Sequence, residues 1–380
     1  MPGRSTMEAI HLLRRLIDNY RERKQDFHML FIDLEKAYDR VPREILRRVL
    51  EKKDVNVSYI DVIKDMYTNS MTRVRTFGGL TQDFTINVGL YQGSTLSHYL
   101  FTLILGELTG HIQQAIPWCL LFADDIVLVD ETREGVNAKL ESWRDTLGKK
   151  VFRLSRTKTE YIELKFSSAR TVDFVIELGD QDISRSECFK YLGSIVQNVG
   201  DIDKDVTHRI QAGWLKWRGA AGLLCDRKVP LKLKGKFFRT TIRPAMLYGS
   251  ECWAVNCVHV QKMGVAEMRM LRWMCGQTRL DRIRNECIGD KTGVTSIAEK
   301  IQEAQLRWFG HVQRRPLEAP VRRCESLVTR HAKRGRGRPI KTWNETIRKD
   351  MMYLGNSESM TQDRAQWRQR IHIADPTIVG

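Results

Sequence analysis

The spacing of apolar residues changes period along this chain, and each change marks an element. Ile10, Leu13, Leu16 and Ile17 recur at helical intervals behind Ser5 and Thr6, with Glu8 in the first turn, which predicts a capped helix over residues 5–24. Met29-Leu30-Phe31-Ile32 is a short continuous apolar run suited to a buried strand, and it runs straight into Asp33. Pro42 opens a helix with Ile45, Leu46, Val49 and Leu50 on one face. Residues 73–89 predict two strands joined at Gly78-Gly79. The polar loop Gln92-Gly93-Ser94 leads into a helix whose Leu96, Tyr99, Leu100, Leu103, Ile104 and Leu108 make a wide apolar stripe. A helix near 133–147, strands near 160–166 and 172–178, and a short strand closed by Gly193 follow. Beyond about residue 201 the pattern is mainly helical, with Trp and Arg interleaved, and no internal repeat is visible.

Within this pattern, Asp124 and Asp125 interrupt one of the most apolar stretches, between Cys119-Leu120-Leu121-Phe122-Ala123 and Ile126-Val127-Leu128-Val129. The pattern predicts strand, tight turn, strand, with both acids at the turn. Adjacent carboxylates beside a core repel each other and resist desolvation, and a divalent ion with a preference for hard oxygen ligands, such as magnesium, would offset both. Asp is also a good residue for a solvent-facing turn. On the pair alone the two readings stand about even.

Composition narrows the class. A length of 380 residues allows two or three domains, and 42% hydrophobic with 29% charged residues describes an ordinary folded protein. No apolar run is long enough to span a bilayer and no signal peptide opens the chain, so neither membrane insertion nor secretion is expected. The eight cysteines include no Cys-x-x-Cys pair, and Cys252, Cys257 and His259 lack a fourth ligand at zinc-site spacing. Charge divides sharply. Residues 1–200 hold 28 Lys and Arg against 28 Asp and Glu, whereas residues 201–380 hold 35 against 18 and carry the whole net charge of +17. The second half is therefore the natural partner of a polyanion, with nucleic acid ahead of anionic membrane.

Asp33 ends an apolar strand just as the Asp pair does. If those strands are neighbours, three carboxylates converge as two-metal phosphoryl transfer requires. The surrounding residues resemble a known family, the reverse transcriptases of non-LTR (LINE-type) retrotransposons, most closely the RTE-like group. Phe31-Ile32-Asp33-Leu34-Glu35-Lys36-Ala37-Tyr38-Asp39 resembles the first catalytic motif of that polymerase palm. Gly89-Leu90-Tyr91-Gln92-Gly93-Ser94 with Leu96-Ser97 resembles the second, and Phe122-Ala123-Asp124-Asp125 the third. Arg153 to Glu160 resembles the fourth and Phe189-Lys190-Tyr191-Leu192-Gly193 the fifth. A single match of this kind is weak, but five in family order are specific. Leu247-Tyr248-Gly249-Ser250-Glu251-x-Trp253 resembles the segment closing the thumb, and Leu306 to Val312 with Arg336-Gly337-Arg338-Pro339 resembles the family's C-terminal segment, so coverage is nearly complete.

The resemblance implies an α+β fold: a right-hand polymerase palm, an antiparallel sheet with helices on one face, with partial fingers over residues 1–200. A helical thumb-like region over 201–275 and a basic nucleic-acid-binding region over 276–380 would follow. It implies that Asp33, Asp124 and Asp125 hold two Mg2+ ions, with Mn2+ the alternative. Lys158 would act at the triphosphate, and Tyr38 would exclude a ribose 2′-hydroxyl. Gln92 and Gly93 would line the substrate pocket, and Phe189, Tyr191, Leu192 and Gly193 would grip the primer end. Taken singly, Tyr38 reads as a core aromatic and Lys158 as a solvated loop lysine. Lys333, Arg334, Arg336, Arg338 and Lys341 form a basic, Gly/Pro-punctuated stretch for nucleic-acid contact, with an AT-hook-like Arg-Gly-Arg-Pro core. The expected partners are an RNA template, a DNA primer and deoxynucleoside triphosphates, with residence in the nucleus and otherwise the cytoplasm.

Three departures from the family pattern bear on activity. The chain opens inside the fingers region, so the preceding fingers strands and the endonuclease of these elements would have to come from elsewhere. His98 stands where the family has proline, and Val151 where it has glycine. The expectation is an RNA-directed DNA polymerase domain. Its alternative is a catalytically silent, truncated remnant that only binds nucleic acid.

Overall fold

The computed structural model describes residues 5–149, 152–167, 176–179, 181–325 and 341–376. Lys333, Arg334, Arg336 and Arg338 lie outside the described residues; Lys341 lies within them and is half-buried. The chain forms two compact units. The first is built chiefly from Phe27–Glu163 and Ser168–Ser186, the second from Ser5–Asp26, Leu164–Ser167 and Glu187–Gly380. This division departs from the expected boundary at residue 200. The first helix, α1 (Thr6–Arg23), and the fifth-motif hairpin both belong with the C-terminal helices. The reason is contact order: α1 spends its apolar face on partners far along the chain, which spacing along the sequence does not reveal.

In the first unit, the strand β1 (Phe27–Ile32) is buried at every residue. The helix α2 (Arg43–Lys52) follows Pro42 as expected, and α3 (Val57–Tyr67), capped by Asn56, was not expected from the apolar pattern. Its exposed Val57, Tyr59, Val62 and Met66 blur the helical stripe. The predicted pair of strands over 73–89 resolves into two short ladders. The strands β3 (Arg75–Thr76) and β4 (Gly79–Leu80) pair with each other, and β2 (Met71–Thr72) pairs with β5 (Phe84–Thr85). Helix α4 (Thr95–Thr109) is followed by the hairpin β6 (Cys119–Phe122) and β7 (Asp125–Asp130), helix α5 (Arg133–Gly148) and β8 (Glu160–Leu164). The short strands β9 (Ile176–Leu178) and β10 (Gln181–Ile183) form a separate antiparallel pair.

The central sheet has the order β6-β7-β1-β8, with β7 antiparallel to both β6 and β1. Leu30 and Ile32 on β1 share one core with Ile126 and Leu128 on β7, and with Leu100, Phe101 and Ile104 of α4 and Val136, Leu140, Trp143 and Leu147 of α5. Because side chains alternate across a strand, this core defines one face of the sheet, and residues of the other parity point away from these helices. The result is the expected α+β layer: an antiparallel hairpin and its neighbours backed by helices.

The second unit opens, after α1, with the antiparallel hairpin β11 (Cys188–Tyr191) and β12 (Ser194–Gln197). Helices α6 (Asp203–Gly219), α7 (Ala221–Cys225), α8 (Leu231–Phe237), α9 (Arg243–Leu247) and α10 (Cys257–Met274) follow, with a π turn at Phe238–Ile242 between α8 and α9. Then come α11 (Asn285–Thr292), α12 (Ile297–Gln313), α13 (Pro320–Glu325), α14 (Trp343–Tyr353) and α15 (Arg364–Ile371). Val206, Trp217, Phe238, Met246, Trp253, Met263, Met270 and Ile301 are among the residues of its core. Gly235 is required on α8, because a Cβ there would lie 1.8 Å from the Thr292 carbonyl oxygen at the end of α11.

Candidate active site

The β1–β7 register decides where the three acids fall. The ladder ends with Ile32 opposite Ile126, so Asp33 and Asp125 are the next residues along the two chains at that end of the sheet. By the alternation of side chains along a strand, both fall on the face turned away from the α4–α5 core. Phe122 pairs with Asp125, which leaves Ala123 and Asp124 as a two-residue turn. Ala123 adopts φ +55°, in the region where glycine is preferred, so the turn that presents Asp124 holds local strain.

The electrostatics are those of a site short of positive charge. Asp125 is pushed up to about 6, first by burial and then by the negative charges of Asp124 and Asp33. Asp33 Oδ2 is buried and accepts no hydrogen bond from the described residues, with Lys158 Nζ 3.5 Å away. The Lys158 side chain is 71% exposed, so its ammonium is screened where it pairs with Asp33. An orphaned oxygen and a carboxyl group raised by its like-charged neighbours fit a divalent cation held by oxygen ligands.

Two loops are tied to the segment that follows β1 by backbone hydrogen bonds. Ser155 N donates to Asp33 O at 2.7 Å and Glu35 N to Arg153 O at 2.9 Å, which anchors the loop carrying Lys158 against the end of β1. Leu90 N donates to Tyr38 O and Gly89 N to Val41 O, both at 2.8 Å. Gly89 has φ +89°, and a Cβ there would lie 2.9 Å from Asp39 O, so this approach needs glycine. The same contact brings Gln92 Nε2 to donate to Asp39 Oδ1 at 2.8 Å. Gly93 has φ +87° and open space around its absent side chain.

Tyr38 packs its ring on Phe101, with centroids 4.7 Å apart, and its hydroxyl shares a hydrogen bond with His98 Nδ1. Burial, and then the charge of Asp124, push the phenol up to about 12, so it stays neutral. Thus the first unit gathers Asp33, Tyr38, Gln92, Gly93, Asp124, Asp125 and Lys158. The contact with His98 was not foreseen. The only hint was that His98 departs from the family pattern.

Phe189, Tyr191, Leu192 and Gly193 lie in the second unit, on the β11–β12 hairpin. Leu192 and Gly193 form its turn, with φ +45° and +83°, and Tyr248 donates its hydroxyl to Leu192 O at 2.8 Å. The hairpin is fastened from below by Asp205, which is fully buried. Asp205 accepts from Arg14 at 3.0 Å, Ile195 N at 3.0 Å and Trp253 Nε1 at 3.1 Å, and also from the Ser194 hydroxyl. Sequence reasoning did not single out Asp205, because its partners are scattered from residue 14 to 253. Among the described residues, the group of three metal-capable side chains whose donor atoms all lie within 4.8 Å of one another is a different one: Asp201, Asp203 and His259. Lys262 already pairs with Asp203 at 2.7 Å there.

A strand-end carboxylate cluster, backed by helices and flanked by a glycine-dependent loop and a lysine loop, is the arrangement of a polymerase palm. Residues 1–196 match the family described as reverse transcriptase (RNA-dependent DNA polymerase), and the chain belongs to that family. An uncharacterized transposon-derived protein of Caenorhabditis elegans is 22% identical, over 65% of this chain and 92% of that protein. A Retrovirus-related Pol polyprotein from type-1 retrotransposable element R2 of Popillia japonica is 26% identical, over 63% of this chain and 35% of the polyprotein. The "Probable RNA-directed DNA polymerase from transposon X-element" of Drosophila melanogaster is 21% identical, over 82% of this chain and 35% of that protein. The chain's relatives are thus proteins of transposable elements, and it spans about a third of the length of the latter two.

Proposed function

We propose that this chain extends the 3′-hydroxyl of a DNA primer on an RNA template, using deoxynucleoside triphosphates. The observation that carries the reading is that β1 ends with Ile32 opposite Ile126, beside the turn that holds Asp124 and Asp125, so that the charges of Asp33 and Asp124 act on Asp125, with no hydrogen bond to Asp33 Oδ2 among the described residues. Asp33, Asp124 and Asp125 would hold Mg2+, which when bound lowers the cost of the negative charge on the reacting oxygens. The bond formed joins the primer 3′ oxygen to the α-phosphorus, and the bond broken releases pyrophosphate. Lys158, on its loop beside Asp33, would steady the charge or give a proton at the leaving pyrophosphate. Tyr38 would occupy the space of a ribose 2′-hydroxyl, while Gln92 and Gly93 line the pocket on a loop fixed to Asp39. Phe189 to Gly193 would grip the primer end as a preformed turn. Placement in the RTE-like group and nuclear residence belong to the same reading, the latter checked by microscopy of a tagged chain.

The test is extension of a primed RNA template by purified protein with Mg2+ or Mn2+, beside Asp124→Ala. The expected result is metal-dependent extension that falls at least about a thousandfold in the variant, in line with removal of a group that stabilises developing charge. Extension that survives the substitution sinks the site assignment. Salt-sensitive nucleic-acid binding without extension in either metal would instead favour a silent binding protein.

A further inference from the structure

The second unit holds a cavity of about 960 Å3 whose wall carries Arg307, Arg314, Arg315, Arg364 and Arg368. Three of these guanidinium groups are engaged. Arg307 pairs with Glu303, Arg315 with Glu8 at 3.0 Å, and Arg314 donates to Thr361 O at 2.6 Å. Arg364 and Arg368 are exposed, one helical turn apart on α15, and make no hydrogen bond or ion pair with the described residues. They are held in place by their own helix, since Trp367 and Ile371 between and beyond them are buried. Arg314 is held below the usual arginine range by burial and by the like charge of Arg364. On the same wall Trp308 is only 9% exposed, and its indole Nε1 is buried without a partner among the described residues. A buried donor of this kind calls for an acceptor. The His311 ring stacks on Trp308, with centroids 5.0 Å apart, and leaves its side chain 42% exposed.

We propose that this cavity binds single-stranded nucleic acid, with Arg364 and Arg368 on successive phosphates and His311 offering a ring face to a base. Guanidinium groups bind phosphate through paired N–H donors, and an indole N–H suits a phosphate or sugar oxygen. The volume suits one or two nucleotides and not a duplex. Base stacking on exposed rings is how sequence-tolerant single-strand sites are built. The surplus of positive charge over residues 201–380 favours a polyanion over a small acidic ligand. The proposal rests on the family reading only in that such a chain meets RNA. It places the strand on helices of the second unit, whereas Asp33, Asp124, Asp125 and Lys158 belong to the first.

The experiment uses the full chain and fluorescence anisotropy of a labelled oligo-uridylate, in EDTA and without deoxynucleotides, so polymerisation does not enter. The double variant Arg364→Gln/Arg368→Gln is compared with Arg370→Gln, an exposed arginine of α15 that does not line the cavity. The double variant is expected to bind about tenfold more weakly, with a log–log salt slope shallower by about 1.4, the value for two lost single-strand phosphate contacts. Arg370→Gln is expected to stay within about twofold of wild type. A second measurement, Trp308→Phe, removes the orphan donor and is expected to weaken binding while melting near wild type. The proposal is overturned if the double variant binds like wild type or if Arg370→Gln weakens binding as much. It also falls if polyglutamate competes as well as unlabelled RNA. Asp124→Ala run in parallel separates the readings, since it is expected to lose extension and keep this binding.

Discussion

At the residue scale, single contacts decide what each side chain can do. Tyr38 is neutral, half-buried and braced by Phe101 on its ring and His98 at its hydroxyl. The gate against ribonucleotides proposed for it needs that rigidity, because a side chain free to rotate would exclude nothing. Tyr38→Ala is expected to raise ribonucleotide relative to deoxynucleotide incorporation by tenfold or more, and His98→Ala to raise it by less, by loosening the same ring. Steady-state incorporation of matched nucleotide pairs checks both, and an unchanged ratio in Tyr38→Ala would remove the residue from the pocket. The tyrosine was legible in the sequence as part of an ordered motif. Its histidine neighbour, 60 positions away, was visible only as an irregularity, because hydrogen-bond partners at that separation leave no local pattern.

At the element scale, hairpins and loops are held by partners that periodicity does not name. The β6–β7 hairpin was evident from two apolar runs around a turn, and so were β1 and α4, whose stripes follow simple periods. Helix α3 was hidden by its exposed apolar residues, and the residues over 73–89 were too short and exposed for their double ladder to be resolved. The β11–β12 hairpin depends on Asp205, whose carboxylate is bonded by α1, the hairpin itself and Trp253. Removing one member of a buried charge pair strands the other, at a cost of about 3–5 kcal/mol. Asp205→Ala is therefore expected to lose that much stability, read as a lowered urea midpoint, with Asp205→Asn less affected because it keeps an acceptor. Equal midpoints for Asp205→Ala and wild type would show that the network does not hold this hairpin.

At the scale of the whole molecule, charge and chain topology divide differently. The charge boundary falls near residue 200, but the structural boundary assigns Ser5–Asp26 and Glu187 onwards to the same unit. Within that unit α1 packs on α13, and its Arg14 pairs with Asp205, from which almost the whole of the first unit's sequence separates it. A fragment ending at residue 200 would keep α1 and the β11–β12 hairpin but lose α6 to α15. Leaving Ile10, Leu13, Leu16 and Ile17 partly uncovered costs on the order of several kcal/mol. Such a fragment is expected to melt without a cooperative transition and to bind a hydrophobic dye, and the full chain is expected to do neither. Cooperative melting of the fragment would contradict the division.

Local chemistry could be read from the sequence because it is written in short windows. The apolar runs specify strands, the carboxylates at their ends specify a demand for cations, and five ordered motifs specify the family. Tertiary structure alone decided which acids meet at one end of the sheet, since register is a relation between strands that neither strand contains. It also decided that Gly89 is required by the approach of Asp39, that Asp205 anchors the fifth motif, and that arginines from α12 and α15 line one cavity. Each of these is a contact between residues far apart in the chain, and only folding brings such residues within the few ångströms over which hydrogen bonds and charges act.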